Sequence, residues 1–228
     1  MALIVGVSGK IGSGKDYLAD KLIEELERRG HSTTRTSFAK ALKTEVTNFI
    51  NDIKAHPTKG RDEMVEDLAP RWSMPKEHAG WLIDLLLPDI DLEDFDGWTR
   101  TLSVRSALQI HGTEIRRAQQ PDYWTQRFLE EVNSHTDDNM IVFVTDGRFH
   151  NEIDCVIDNG GIAFRLDIPE EILEERRTGR DGIVYTAEQL NHISETALDD
   201  YQRFDYYVGS YIEPDFLSDI VEMRLRLR

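Results

Sequence analysis

The chain opens Ala2-Leu3-Ile4-Val5-Gly6-Val7-Ser8-Gly9-Lys10-Ile11-Gly12-Ser13-Gly14-Lys15, an apolar run that passes directly into glycines. Ala2–Val7 is short and rich in branched residues, as expected of a strand buried on both faces. Gly9–Lys15 matches G-x-x-x-x-G-K. A helical pattern follows from about Lys15 to Arg29, with Leu18, Leu22, Ile23 and Leu26 at near-helical spacing and Gly30 as its stop. A glycine loop between strand and helix is where a phosphate-binding loop belongs. Gly9, Gly12 and Gly14 let successive N–H groups converge, and the helix dipole adds to their pull on phosphate oxygens. Lys15 reaches the β- and γ-phosphates as a point charge. Lys10, Ile11, Ser13 and Tyr17 complete the stretch assigned to ATP. Asp16 stands where a Mg²⁺-ligating hydroxyl is usual. A carboxylate is also a hard oxygen donor, so Asp16 is placed with the metal, directly or through water. Complementing the helix N-terminus is the other role open to it.

The rest of the chain repeats the alternation. A weaker strand is expected at Ser32–Thr36 and a helix from about Lys40 to Ile53. Met140–Val144 reads as a second buried strand, followed by a helix to about Asp158 that Gly160-Gly161 stops. Ile162–Leu166 and Asp205–Val208 are further strands, and Pro169 and Pro214 open helices. Two more helices are expected over Ser103–Ala118 and Tyr123–Val132, and Thr186 with Gln189 fits a capping box. This order predicts an α/β fold, doubly wound, with a five-stranded parallel sheet and helices on both faces. Residues 55–100 differ: they hold four of the chain's seven prolines and three of its four tryptophans, so they read as an insertion, with one helix near Lys76–Leu87. Their acidic stretch Asp89–Gly97 misses the EF-hand spacing and reads as a solvated loop. We expect a single domain over 1–228, with an acceptor-binding region over about 40–125 and a lid over about 169–186.

Lys and Arg number 27 against 43 Asp and Glu, a net charge of −16 over 228 residues. That argues against a general binder of polymeric nucleic acid, which spreads positive charge over its surface. Any anion must be held locally. The lone cysteine, Cys155, excludes an internal disulfide and a multi-cysteine metal site. No apolar run approaches the roughly 18–20 residues of a bilayer span, so a cytoplasmic protein without a membrane partner is expected. A homodimer is the default expectation for a soluble oligomer.

The candidate chemistry gathers at strand ends. Asp146 follows the strand Met140–Val144, where an acid holds Mg²⁺ or its waters; it could instead cap the next helix. Arg148, at the same sheet edge, is a candidate for the acceptor phosphate. Helical spacing puts Arg105, Gln109 and Arg116 on one face, and arginine's planar fork suits phosphate. Asp122 and Trp124 follow, as a carboxylate for an exocyclic amine and an aromatic face for a base; a place in the core is equally open to Trp124. Glu174–Gly182 carries Arg176 and Arg180 beside glycines, which suits a lid closing positive charge over the transferring group.

These segments together resemble the deoxynucleoside monophosphate kinases of bacteriophages. The likeness lies in Gly9–Asp16, Ser37-Phe38-Ala39 with Leu42-Lys43, Leu108–Glu114, Pro121–Trp124, Val144–Glu152, His192–Glu195 with Leu198, and Phe204–Tyr207. It touches most of the chain outside 55–100. An Asp after the loop lysine is usual in that group, whereas Tyr17 stands where a small residue is common. The resemblance implies γ-phosphoryl transfer from ATP, with Mg²⁺, to a deoxynucleoside 5′-monophosphate. It puts Lys15 on the donor phosphates and Asp146 at the metal. It implies Arg148, Arg105 and Arg116 near the acceptor and Arg176 or Arg180 in the lid; Gln109, Asp122, Trp124 and Glu152 are expected at the acceptor beside them. The loop and the late Ser-Glu segment are also similar to animal-type phosphomevalonate kinases. A P-loop switch or ATPase without an acceptor, and a nucleotide-binding protein without activity, are the readings from other classes.

Overall fold

In a computed structural model, residues 2–89, 102–135, 137, 139–181, 190–209 and 213–227 are described. The chain divides into two compact units: one runs to Phe38 and resumes at Phe128, the other spans Ala39–Arg127.

The first unit is the α/β body. Strands β1 (Leu3–Ser8), β2 (Thr33–Thr36), β3 (Ile141–Val144), β4 (Ile162–Leu166) and β5 (Tyr206–Val208) form one sheet in the order β2-β3-β1-β4-β5. All its pairings are parallel. In β1, Leu3 lies opposite Ile141 and Val5 opposite Ile162. Every residue of β1 is buried, and period-two geometry sends alternate side chains to opposite faces. Leu3, Val5 and Val7 join Phe143 and Phe164 in a core with α1 (Lys15–Arg28) and the last helix, α10 (Pro214–Arg226). Ala2 and Ile4 join Val142, Val144 and Ala163 in a second core. Its helices are α7 (His150–Asp158) and the later part of α6 (Tyr123–Ser134). Two covered faces around parallel strands make the sheet doubly wound, as the alternation predicts. Helix α8 (Glu170–Asp181) and the short α9 (Ile193–Thr196) also belong to this unit.

The second unit is helical and has its own core. It comprises α2 (Ala39–Lys54), α3 (Arg61–Arg71), α4 (Lys76–Leu86), α5 (Leu102–Gln109), a π-helical segment Ile110–Arg117 and the start of α6. Phe49, Ile50, Ile53, Leu68, Leu82, Ile83 and Ile115 fill its interior. Two local expectations need correction. Residues 55–100 hold a second helix, α3, whose Met64, Val65, Leu68 and Ala69 face inward. Pro70 reads as a break in sequence. It sits next to last in the helix, where it costs one backbone hydrogen bond and kinks nothing downstream. The expected single helix over Ser103–Ala118 changes character at Ile110, where the hydrogen bonds lengthen to the π pattern. The acidic stretch beyond Asp89, the capping box at Thr186 and Gln189, and the lid's end from residue 182 lie outside the described residues. Among the described residues no helix is long and apolar enough to cross a membrane.

Phe143 is fully buried in the central layer. Phe143→Ala should lower the unfolding free energy by about 3–5 kcal/mol, as lost transfer energy plus a cavity. Urea denaturation measures it, and a loss under about 1 kcal/mol would show that the sheet does not depend on this packing.

Candidate functional site

The loop between β1 and α1 takes the conformation its glycines permit. Gly12 (φ 85°) and Gly14 (φ 88°) occupy the left-handed region that side chains avoid. The Ser13 N–H donates to Lys10 O at 3.0 Å and the Leu18 N–H to Gly14 O at 2.9 Å, closing the turn and starting the helix. The Ser13 Oγ is buried with no hydrogen-bond partner among the described residues. Buried orphans of this kind are commonly satisfied by water or a ligand oxygen. Burial pulls the Lys15 ammonium below its ordinary pKa. Asp16 pushes it back, Arg148 lowers it, Asp146 raises it and Arg35 lowers it. This partly desolvated cation stands at a helix N-terminus, so an incoming phosphate supplies the charge it lacks.

Other cations surround the loop, and each is held by an acid or a carbonyl. From α8, Arg176 donates to Ser13 O at 2.9 Å and Arg177 to Ile11 O at 3.0 Å. Arg177 is also paired with Glu170 at 2.7 Å. The sequence puts Arg176 in a lid; here it holds the loop's own backbone. Arg165, on β4, donates to Ser8 Oγ at 3.0 Å and pairs with Asp199 at 3.4 Å; burial lowers its pKa, with Asp199 opposing. Asp199 also pairs with Lys10 at 3.0 Å. Arg148, beyond β3, forms an ion pair with Glu195. The second Glu195 oxygen accepts the Ile11 N–H at 3.3 Å. Glu152, expected at the substrate, is buried and accepts the N–H groups of Arg148 (2.7 Å) and Phe149 (3.2 Å). It shapes the turn that presents Arg148. Tyr17 is 65% exposed on α1. A cavity of about 650 Å³ opens beside Lys10, lined also by Arg165, Asp167, Pro169, Leu173 and Tyr207.

The two acids expected at Mg²⁺ both act electrostatically on Lys15. Asp16 accepts from Thr145 Oγ1 at 2.7 Å and is paired with Arg35; Arg35 in turn donates to Thr145 Oγ1 at 2.9 Å. Asp146 accepts the Phe38 N–H at 2.9 Å. Among the described residues no group of three or more potential ligands is gathered. Mg²⁺ in phosphoryl-transfer sites commonly takes only one or two carboxylates plus phosphate oxygens and water. Two hard oxygen donors beside the loop lysine fit that demand. Asp146 also anchors the backbone leading into α2, so the helix-capping role considered for it is redirected to another element.

In the helical unit the expected face is broken. Gln109 is exposed whereas Arg116 is buried. The π-helical turns between them add to the period that the spacing argument assumes. Arg116 donates through Nε to Glu45 at 3.1 Å and through Nη2 to Trp72 O at 3.1 Å, and lies over the Tyr123 ring. Trp124 is core: its Nε1 donates to Gly112 O at 3.0 Å. Asp122 is exposed. The side chains of Arg105 and Arg180 lie outside what is described.

No family model matches the chain, and no curated protein does. Some solved structures align along nearly the whole chain at low similarity. A sugar kinase from Janibacter sp. HTCC2649 is 16% identical, with 99% of this chain and 95% of that chain covered and a TM-score of 0.45. A gluconokinase from Sinorhizobium meliloti 1021 is 16% identical, covering 99% and 92%, TM-score 0.44. A shikimate kinase from Aquifex aeolicus vf5 is 12% identical, covering 98% and 96%, TM-score 0.41. Likeness this remote carries no argument about activity, and the fold rests on the sheet itself.

Residue spacing does not reveal Glu45. It accepts from His111 Nε2 at 2.8 Å and from the Tyr123 hydroxyl at 2.5 Å, besides Arg116. Burial alone would raise its pKa. The hydrogen bonds from His111 and Tyr123 and the Arg116 charge outweigh it and hold Glu45 at about 2, against an ordinary 4.5. A carboxyl depressed in the fold stabilises it fully above 4.5, and that contribution is lost as pH falls toward 2. Glu45→Gln should therefore cost about 3 kcal/mol at neutral pH, an order-of-magnitude figure, with the gap to wild type closing on acidification. Chemical denaturation across pH checks this; a gap independent of pH would contradict it.

Proposed function

We propose that the chain is a P-loop kinase that transfers the γ-phosphoryl group of ATP to a deoxynucleoside monophosphate. The observation that carries this is the loop itself, a glycine-turned backbone with a half-buried Lys15 at its helix end and Arg148 facing it from the neighbouring strand end. Its place, outside the carboxyl end of the central strand, is where open α/β sheets bind ligands. The 650 Å³ cavity beside Lys10 falls in the size range of small-molecule sites and has room for the donor's nucleoside. A monophosphate acceptor is supported by the resemblance in Val144–Glu152 and by Arg148 in the middle of that segment.

In this reading the protein performs little covalent chemistry. The acceptor phosphate oxygen is already a nucleophile, so positioning and charge neutralisation supply the rate. Lys15 holds the β- and γ-phosphates, and the loop amides stabilise the negative charge that builds during transfer. Arg148 orients the acceptor phosphate through its planar fork. Asp16 and Asp146 would hold Mg²⁺, which supplies further neutralisation of the phosphates when bound. Arg176 braces the loop through the Ser13 carbonyl, and Arg180 is assigned to closure over the transferring group. A phosphomevalonate-type acceptor on the same scaffold is the second reading, since the late Ser-Glu segment fits it equally.

Lys15→Ala should lower turnover by about 100-fold or more while leaving the circular dichroism spectrum unchanged. A coupled assay with ATP, Mg²⁺ and a panel of deoxynucleoside monophosphates and phosphomevalonate reads it. ADP release that requires a deoxynucleotide supports the kinase. Release indifferent to any acceptor supports an ATPase or switch, and nucleotide binding with no turnover a binding protein.

A further inference from the structure

The segment from Ile193 to Asp200 is laid across the phosphate loop, and its Glu195 and Asp199 pair with cations there. Asp199 bridges Lys10 (3.0 Å) and Arg165 (3.4 Å). Leu198 is buried in the core beneath, and Ala197 O accepts from His150 Nε2 at 2.6 Å. Glu195 goes further in. Its side chain is only 8% exposed, and its two oxygens take the Ile11 N–H and the Arg148 guanidinium. One carboxylate thus joins a loop amide, which belongs to the donor's side, to the arginine assigned to the acceptor's side. A phosphoryl group in transit needs the same two partners at once.

The space left there is small. Ser8, Gly9, Lys15, Gly147, Arg148 and Glu195 help to enclose a recess of about 10 Å³. That is room for at most about one water, and none for a phosphoryl group. Glu195 and the terminal phosphate of a nucleotide therefore cannot share the position, on volume or on charge.

We propose that Glu195 is an internal stand-in for the transferring phosphoryl group. It occupies the Ile11 amide and Arg148 in the nucleotide-free protein and is displaced when the donor's third phosphate arrives. This rests on the kinase reading. Its consequence is specific: Glu195 competes with the γ-phosphate and leaves the α- and β-phosphates alone. A nucleotide with three phosphates has to displace the carboxylate, and one with two does not.

Titration calorimetry with Mg²⁺ and either ADP or the β,γ-imido analogue of ATP tests this on the full chain. Glu195→Gln removes the charge and keeps the size. It should bind the triphosphate analogue about tenfold more tightly than wild type, the scale of one charge-assisted hydrogen bond. Its ADP affinity should stay within about twofold, since ADP does not reach the contested position. Should the Gln variant misfold, Glu195→Asp keeps the charge but withdraws it by one methylene. It should also favour the triphosphate over ADP, by a smaller factor. Triphosphate affinity equal to or below wild type in the folded variant overturns the proposal and makes Glu195 a brace for Arg148. If wild type binds neither nucleotide, the kinase reading itself fails, and the inference fails with it.

Discussion

An acidic chain has to keep a knot of positive charge together at one sheet edge. Lys15, Lys10, Arg148, Arg165, Arg176 and Arg177 surround a loop whose amides also point positive partial charge inward. Like charges a few ångströms apart repel by several kcal/mol at the effective dielectric of a protein surface. Acids of the same unit offset that repulsion, with Asp16 and Asp146 acting on Lys15, Asp199 on Lys10 and Arg165, Glu195 on Arg148 and Glu170 on Arg177. Loop carbonyls take one donor each from Arg176 and Arg177 of α8. The chain's surplus of acid is partly this compensation.

The same arithmetic explains why the helical unit builds its ion cluster the other way round. There one acid, Glu45, is surrounded by His111, Arg116 and Tyr123. The donors are fixed by a π-helical turn on one side and the start of α6 on the other. A carboxylate with three donors is well satisfied, and it leaves Arg116 with its own acceptors, Glu45 and Trp72 O. The arginine is held by acceptors on two sides and buried, so its role in this unit is to tie Glu45 to the Trp72 backbone.

Much of the body is legible in the residues because parallel strands buried on both faces are nearly continuous apolar runs. Ile141–Val144 and Ile162–Leu166 announce themselves that way, and Gly12 and Gly14 mark the turn between β1 and α1. Helix α3 is hidden in sequence because Pro70 sits near its end. Gln109 and Arg116 share a face only under a regular period, and nothing in Ile110–Arg117 signals a lengthened turn. Glu152 reads as a ligand from its motif, since a capping acid and a binding acid look alike until the backbone amides of Arg148 and Phe149 are seen on it. Glu45 and Arg165 lie outside every motif. Their partners come from distant parts of the chain, and only tertiary packing brings them together.

The order of the strands also sets an order of assembly. β1 acquires both its neighbours from beyond residue 140, with the whole of the helical unit intervening. During synthesis the first strand leaves the ribosome with two open edges, while α2 to α5 find their contacts close by in sequence and can collapse early. Until β3 and β4 emerge, Leu3–Ser8 is an apolar template that any other strand could pair with. Slow translation or crowding would therefore tell first on yield, through aggregation seeded at the very segment that carries the glycine loop.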